Sequence, residues 1–325
     1  MARVAAVLVT AFAVVAFAAF PATSASSVDE THLPLGKTVT QPTRGALWTC
    51  QTSFGQGGAS GQGPWFNGDG TWNAQAKPVV DGDVSWPDAK LTITKQGNQR
   101  VITTTDLPTD HTTGVFPVAA SDDAHQYDPN PNRISAQSVT LEVPLNPKRA
   151  TSPSCVGGEV GILKSGVVLF DAVDAGGRDA VAYEVQDHCD GHPQNAGEYH
   201  YHSVSSCVLA KLDRGTGQSK LVGWAFDGFG IYGPRAEKGR ELTNADLDEC
   251  HGTTSKVVFN GRRQRIYHYV ATTEFPYTVG CFRGTSTVQG PTAGGGVRRG
   301  AGPLGGGPPP GAGPPGAPGA GPPPR

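Results

Sequence analysis

Between Gly197 and Cys207 the chain reads GEYHYHSVSSC, two tyrosines alternating with two histidines ahead of a cysteine. On an extended strand successive side chains point to opposite faces, so His200 and His202 share one face and Tyr199 and Tyr201 the other. Two imidazoles spaced i and i+2 can converge on one ion, because neutral imidazole ligates zinc, copper, iron or nickel. The residues just upstream, QDHCDGHPQNAGEYHYH, add Asp187, His188, Asp190 and His192, so that four of the nine histidines fall in one short segment. Histidines crowded beside acids in a loop point to a metal centre or a catalytic one. The alternative is a buried hydrogen-bond network in which imidazoles and tyrosine hydroxyls satisfy one another.

A second copy of the pattern follows. DECHG, residues 248–252, precedes RIYHYVATTEFPYTVGC, which ends at Cys281, much as DHCDG precedes EYHYHSVSSC. This reads as a degenerate duplication in which His268 and Tyr269 occupy the places of His200 and Tyr201, and Val270 replaces the second histidine. Between the copies lies GWAFDGFGIYGP, residues 223–234, where Asp227 sits among aromatics and glycines. Asp227 is either a ligand or base near the histidines or part of a tight strand-turn-strand with an aromatic core. The candidate metal set is His192, His200, His202 and His268, with Asp190 and Asp227 nearby, and zinc or copper as the ion. An open position on such an ion would activate water for hydrolysis, or with copper and a tyrosine support redox chemistry. The sequence does not choose between hydrolase and oxidoreductase.

These residues need strands to hold them. KLTITKQ, RVITTTDL, SVTLEVPL, GEVGILKSGVVLFDAV, EYHYHSV, KLVGWAFDGFGIYG and RIYHYVATTEF are rich in Val, Ile, Thr and aromatics and are bounded by turn residues. Helical candidates are few: DAVAYEVQDHC from Asp179, and a turn or two at TNADLDEC with Thr243 as cap. The expected fold is mostly β, an antiparallel sandwich or open barrel with one or two short helices, tied by disulfides.

The ends set the compartment. Residues 1–25 carry one basic residue, Arg3, then an apolar run from Val4 to Phe20 and small residues with a cut site after Ala25. That is the pattern of a secretory signal peptide, and no other segment is apolar enough to cross a bilayer. In an oxidising compartment the six cysteines default to disulfides. Of their 15 connectivities, spacing and context suggest Cys189 with Cys207 and Cys250 with Cys281, leaving Cys50 with Cys155. From Gly290 to Arg325 the chain holds 14 Gly and 11 Pro in 36 residues. Such a tail cannot bury a core and is expected to be a disordered spacer. The formal charge is −2, yet four basic residues and no acids lie in the two ends, so the part between stands at −6. That balance argues against nucleic acid as a partner.

The combination of CDGHPQNAGEYHYH, GWAFDGFGIYGP and LDECHG followed by YHY and FPYTVGC resembles the YHYH-domain proteins of secreted bacterial origin. The resemblance spans Cys50 to Gly284. Together with the two ends, it gives an expected organisation of signal peptide 1–25, N-terminal extension 26–49, YHYH domain 50–284 and tail 285–325. It implies an extracellular setting but no settled activity, substrate or cofactor. In that family the second copy often carries a histidine where this chain has Val270.

Three functions from different classes are open at this point. The first is a secreted metal-binding protein acting on an unknown small molecule. The second is a glycan- or protein-recognition module that uses the Trp- and Gly-rich stretch holding Trp65, Trp72 and Trp86, residues that are otherwise core. The third is a structural component of the cell envelope. His32, His111 and His125 lie in polar stretches and read as surface residues. NGDG lacks the downstream acids of a calcium loop, and no nucleophile elbow, phosphate loop or His-Glu-x-x-His helix is present.

Overall fold

A computed structural model describes residues 28–55, 57–59 and 61–288; the expected leader at 1–25 and nearly all of the Gly/Pro tail lie outside the described residues. As the alternating runs predict, the protein is mostly β with two short α-helices. Its centre is an eight-stranded sheet. The first half comprises β1 (Glu159–Leu163), β2 (Val168–Phe170), β3 (Gly191–Pro193) and β4 (Tyr199–Tyr201). The second comprises β5 (Leu221–Ala225), β6 (Gly230–Tyr232), β7 (Gly252–Phe259) and β8 (Arg262–Val270). The spatial order is β3-β4-β2-β1-β5-β6-β8-β7.

The two halves have one topology. In each, a hairpin (β1 with β2, β5 with β6) is followed by a long connection and a second hairpin (β3 with β4, β7 with β8). The last strand of each half lies parallel to the second, β4 beside β2 and β8 beside β6. The halves meet at β1 and β5, antiparallel, with Ile162 opposite Trp224, so a local two-fold relates them. The register repeats as well: Gly191 faces Tyr201 as Gly252 faces Tyr269, and His192 faces His200 as Thr253 faces His268. The expectation of antiparallel sheets therefore needs one refinement, the two parallel pairs that the duplication places in the sheet.

Burial on both sides of this sheet accounts for its near-continuous apolar strands. A three-stranded meander (Leu91–Gln96, Gln99–Thr104, Val139–Pro144) adds Ile102, Leu141 and Val143 to the same core. A smaller cluster gathers Leu33, Trp65, Trp72, Val80, Val118 and Val185. Trp65 and Trp72 are thus core residues, and the Trp86 indole donates to Thr113 Oγ1.

The disulfides are Cys50–Cys155, Cys189–Cys207 and Cys250–Cys281. Helix α1 is shorter than its sequence pattern implies, Ala180–Tyr183, capped by Asp179 and broken where Glu184 turns extended. Helix α2, Ser206–Leu212, is capped by Ser205 and is not among the helices that the sequence pattern predicts. At TNADLDEC the chain makes a single 3-10 turn, Asn244–Asp246, with Thr243 as its cap. Among the described residues no helix is long and apolar enough to cross a membrane.

Candidate metal centre

The site begins with the turn that leads into β3. The Asp187 carboxylate accepts the backbone N–H groups of Cys189 at 2.9 Å and Gly191 at 3.2 Å, and that of Gly114 at 2.8 Å. It also accepts the Tyr199 hydroxyl at 2.9 Å. The turn puts Asp190 at φ +65°. Gly191 follows, where a Cβ would lie 2.2 Å from the Tyr199 ring, so only glycine lets that tyrosine reach Asp187. The second copy repeats the local contacts: Asp248 accepts from Cys250, Gly252 and the Tyr267 hydroxyl, and His251 has φ +68°.

With the tyrosines packed on one face, the histidines stand on the other. His192 on β3 faces His200 on β4, and His202 follows two residues on. All three are at least 96 % buried. Ligand atoms of the three lie within 4.8 Å of one another, and the Phe170 ring covers His200 with centroids 4.1 Å apart.

Two hydrogen bonds fix the tautomers. His200 Nδ1 meets the carbonyl of Glu198 at 3.2 Å and His202 Nδ1 that of Asp171 at 2.5 Å. Carbonyls only accept, so both Nδ1 atoms carry protons, and in a neutral ring Nε2 is left with its lone pair. The two Nε2 atoms stand 3.2 Å apart.

A fourth group, which the sequence reading missed, completes the cluster. Because α1 stops at Tyr183, the side chain of Glu184 projects among the imidazoles, with Oε2 3.3 Å from His202 Nε2 and 3.5 Å from His192 Nε2. Its Oε2 and both ring nitrogens of His192 are buried without a hydrogen-bond partner. Lys77 holds this segment from outside, its buried ammonium donating to the carbonyls of Val181 and Glu184 and to Gln186 Oε1. Burial brings the Lys77 pKa down to about 8, against the raising influence of nearby acids.

Burial first, and the neighbouring imidazoles second, push His192 and His200 well below the usual histidine range; burial takes His202 to about 4. Burial, reinforced by Asp174 and Asp128, pushes Glu184 well above the carboxylate range. These are not ion pairs. Neutral imidazole lone pairs and a carboxyl oxygen converge on one point, the arrangement a cation satisfies. Ligand atoms 2.0–2.1 Å from one tetrahedral zinc stand about 3.3 Å apart, and the separations of 3.2, 3.3 and 3.5 Å match that spacing. Nδ1 bonds to backbone carbonyls are the kind of outer contact that orients histidines when they ligate a metal.

The other candidates lie elsewhere. His268 is in the second half, its Nδ1 on the Ile266 carbonyl and its ring against Tyr232. Asp227 accepts the Tyr269 hydroxyl at 2.6 Å and the backbone N–H groups of Phe229 and Gly284, so it ties the second half together. Asp190 accepts from Ser206 N at the start of α2. His188 adjoins Cys189 and Cys207, whose sulfurs are spent on their disulfide. His111 is not a surface residue: its ring lies between Asp110 Oδ1 and the Tyr201 hydroxyl, each at 2.8 Å, with the side chain 8 % exposed.

Residues 140–244 match the family model described as YHYH protein. The match contains His192, His200, His202 and Glu184 and stops before His268, a narrower span than Cys50 to Gly284. No curated protein and no solved structure matches the chain.

Proposed function

For a chain that belongs to the YHYH family through residues 140–244, we propose a secreted protein that binds one divalent first-row transition ion through His192, His200, His202 and Glu184. The observation that carries this reading is the 3.2 Å approach of two Nε2 lone pairs whose Nδ1 protons are committed to carbonyls. For the Nε2–Nε2 contact itself to be a hydrogen bond, one of the two rings would need an extra proton. Complete burial and the adjacent imidazoles oppose that charge.

Three imidazoles with one carboxylate suit zinc, copper or iron better than magnesium or calcium. A bound ion with a free position would supply Lewis-acid activation of water, or one-electron chemistry if it is redox-active. The chain's own contribution is to orient the rings by backbone carbonyls and to shield them with Phe170. Secretion rests on the leader-like residues 1–25 and on three disulfides, which persist in oxidising compartments. A mature N-terminus at Ser26 in protein recovered from culture medium is the expected result.

Titrating chelator-treated protein with zinc and with copper tests the site. One equivalent bound by the parent and lost in Glu184→Gln supports it. No binding by parent protein with an intact circular dichroism spectrum sinks it.

A further inference from the structure

The duplication leaves a second place on the same face of the sheet, where the metal ligands have been replaced. Thr253 stands in the register of His192 and Val270 in that of His202, while His268 keeps the place of His200. Smaller side chains there leave a cavity of about 260 Å³, with Tyr232, Val257, Val270 and His268 along its floor and Thr253 and Ser255 at its side. The register-equivalent space in the first half is filled by the imidazoles.

Three features define what such a cavity accepts. His268 is 96 % buried, and its Nδ1 donates to the Ile266 carbonyl. Its Nε2 is therefore an acceptor in the neutral ring, with no protein donor among the described residues. Every charge at the rim has a partner already: Arg235 with Asp213 at 3.0 Å, Arg240 with Asp246 at 2.8 Å, Glu237 with Arg263 at 3.2 Å. The floor offers an aromatic and two valines, beside two hydroxyls that can donate or accept.

We propose that this cavity binds a neutral, hydroxylated ring of monosaccharide size. A hydroxyl donates to His268 Nε2, the apolar ring face lies toward Tyr232 and Val257, and remaining hydroxyls meet Thr253 and Ser255. A charged ligand would have to break one of the rim pairs, and a metal would find a single imidazole.

The test uses full-length protein labelled with 15N at histidine and titrated into the high millimolar range with glucose, N-acetylglucosamine, mannose and myo-inositol. The parallel titrants are glucuronate and inorganic phosphate. A saturable upfield shift of His268 Nε2 with at least one neutral ring is expected, with the His200 and His202 signals unmoved. Ser255→Trp, which blocks the cavity from a half-buried strand position, is expected to abolish the shift while retaining the parent's melting temperature. His268→Gln, which keeps an acceptor, serves if the Trp variant does not fold, and is expected to weaken binding at least several-fold by tryptophan or tyrosine fluorescence. No saturable shift with any neutral ring, or a shift with glucuronate or phosphate alone, overturns the proposal.

Discussion

His200 and His202 present their Nε2 atoms to each other at 3.2 Å while their Nδ1 atoms are held by the carbonyls of Glu198 and Asp171. Two acceptors at that separation repel unless a cation lies against both.

Replacing Glu184 by Gln removes one proposed ligand and one orphaned buried carboxyl oxygen. Loss of an outer-shell partner alone costs about 10–100-fold in metal affinity, so loss of a direct ligand should cost about 100-fold or more. In excess chelator the variant should melt at or above the parent's temperature, because an unpartnered buried carboxyl has been removed. Paired melts with metal and with chelator separate the two effects.

Asp227→Asn should behave in the opposite way. The carboxylate accepts the Tyr269 hydroxyl and two backbone N–H groups, and an amide cannot accept all three. A loss of about 1–3 kcal/mol in urea unfolding is expected, with metal content unchanged.

Deleting Cys189–Cys207, whose partners are 18 residues apart, should cost about 3 kcal/mol and weaken metal binding, because that bridge holds the turn into β3. Deleting Cys250–Cys281, with a separation of 31, should cost a similar amount and leave metal affinity as it was. Unfolding curves and metal titrations on both double Cys→Ala variants check this.

Buried His251 makes stability pH-dependent outside the metal centre. Burial lowers its pKa to about 3 against an ordinary 6.5, so between those values the unfolded chain binds a proton that the folded protein refuses. Its contribution is complete above pH 6.5 and is lost as pH falls toward 3, by about 1.4 kcal/mol per unit within that window. His251→Asn, which tolerates the positive φ of this position, should show a shallower loss of urea stability between pH 6.5 and 4.5 than the parent.

Much of this was legible in the residues. Alternation placed the strands, the DHCDG and DECHG repeats marked two halves, and local spacing paired the cysteines. His200 and His202 were grouped because strand periodicity alone puts them on one face, and His192 because it lies a few residues upstream. Glu184 was not, since its role depends on α1 ending one residue earlier, and AVAYEVQDHC carries no Gly or Pro to announce that break. Asp227 and His268 misled for a related reason. A duplicated sequence brings equivalent residues to equivalent places on either side of a two-fold, not to one point. His111 escaped because its partner, Tyr201, is 90 residues away.

The most direct measurement is elemental analysis by plasma mass spectrometry of the secreted, oxidised protein, purified without a histidine tag or metal resin, beside a His200→Ala/His202→Ala variant. The account predicts close to one equivalent of zinc, copper or iron per parent chain and none above background in a variant that retains its fold. A parent that is metal-free and stays so after incubation with those ions would contradict it.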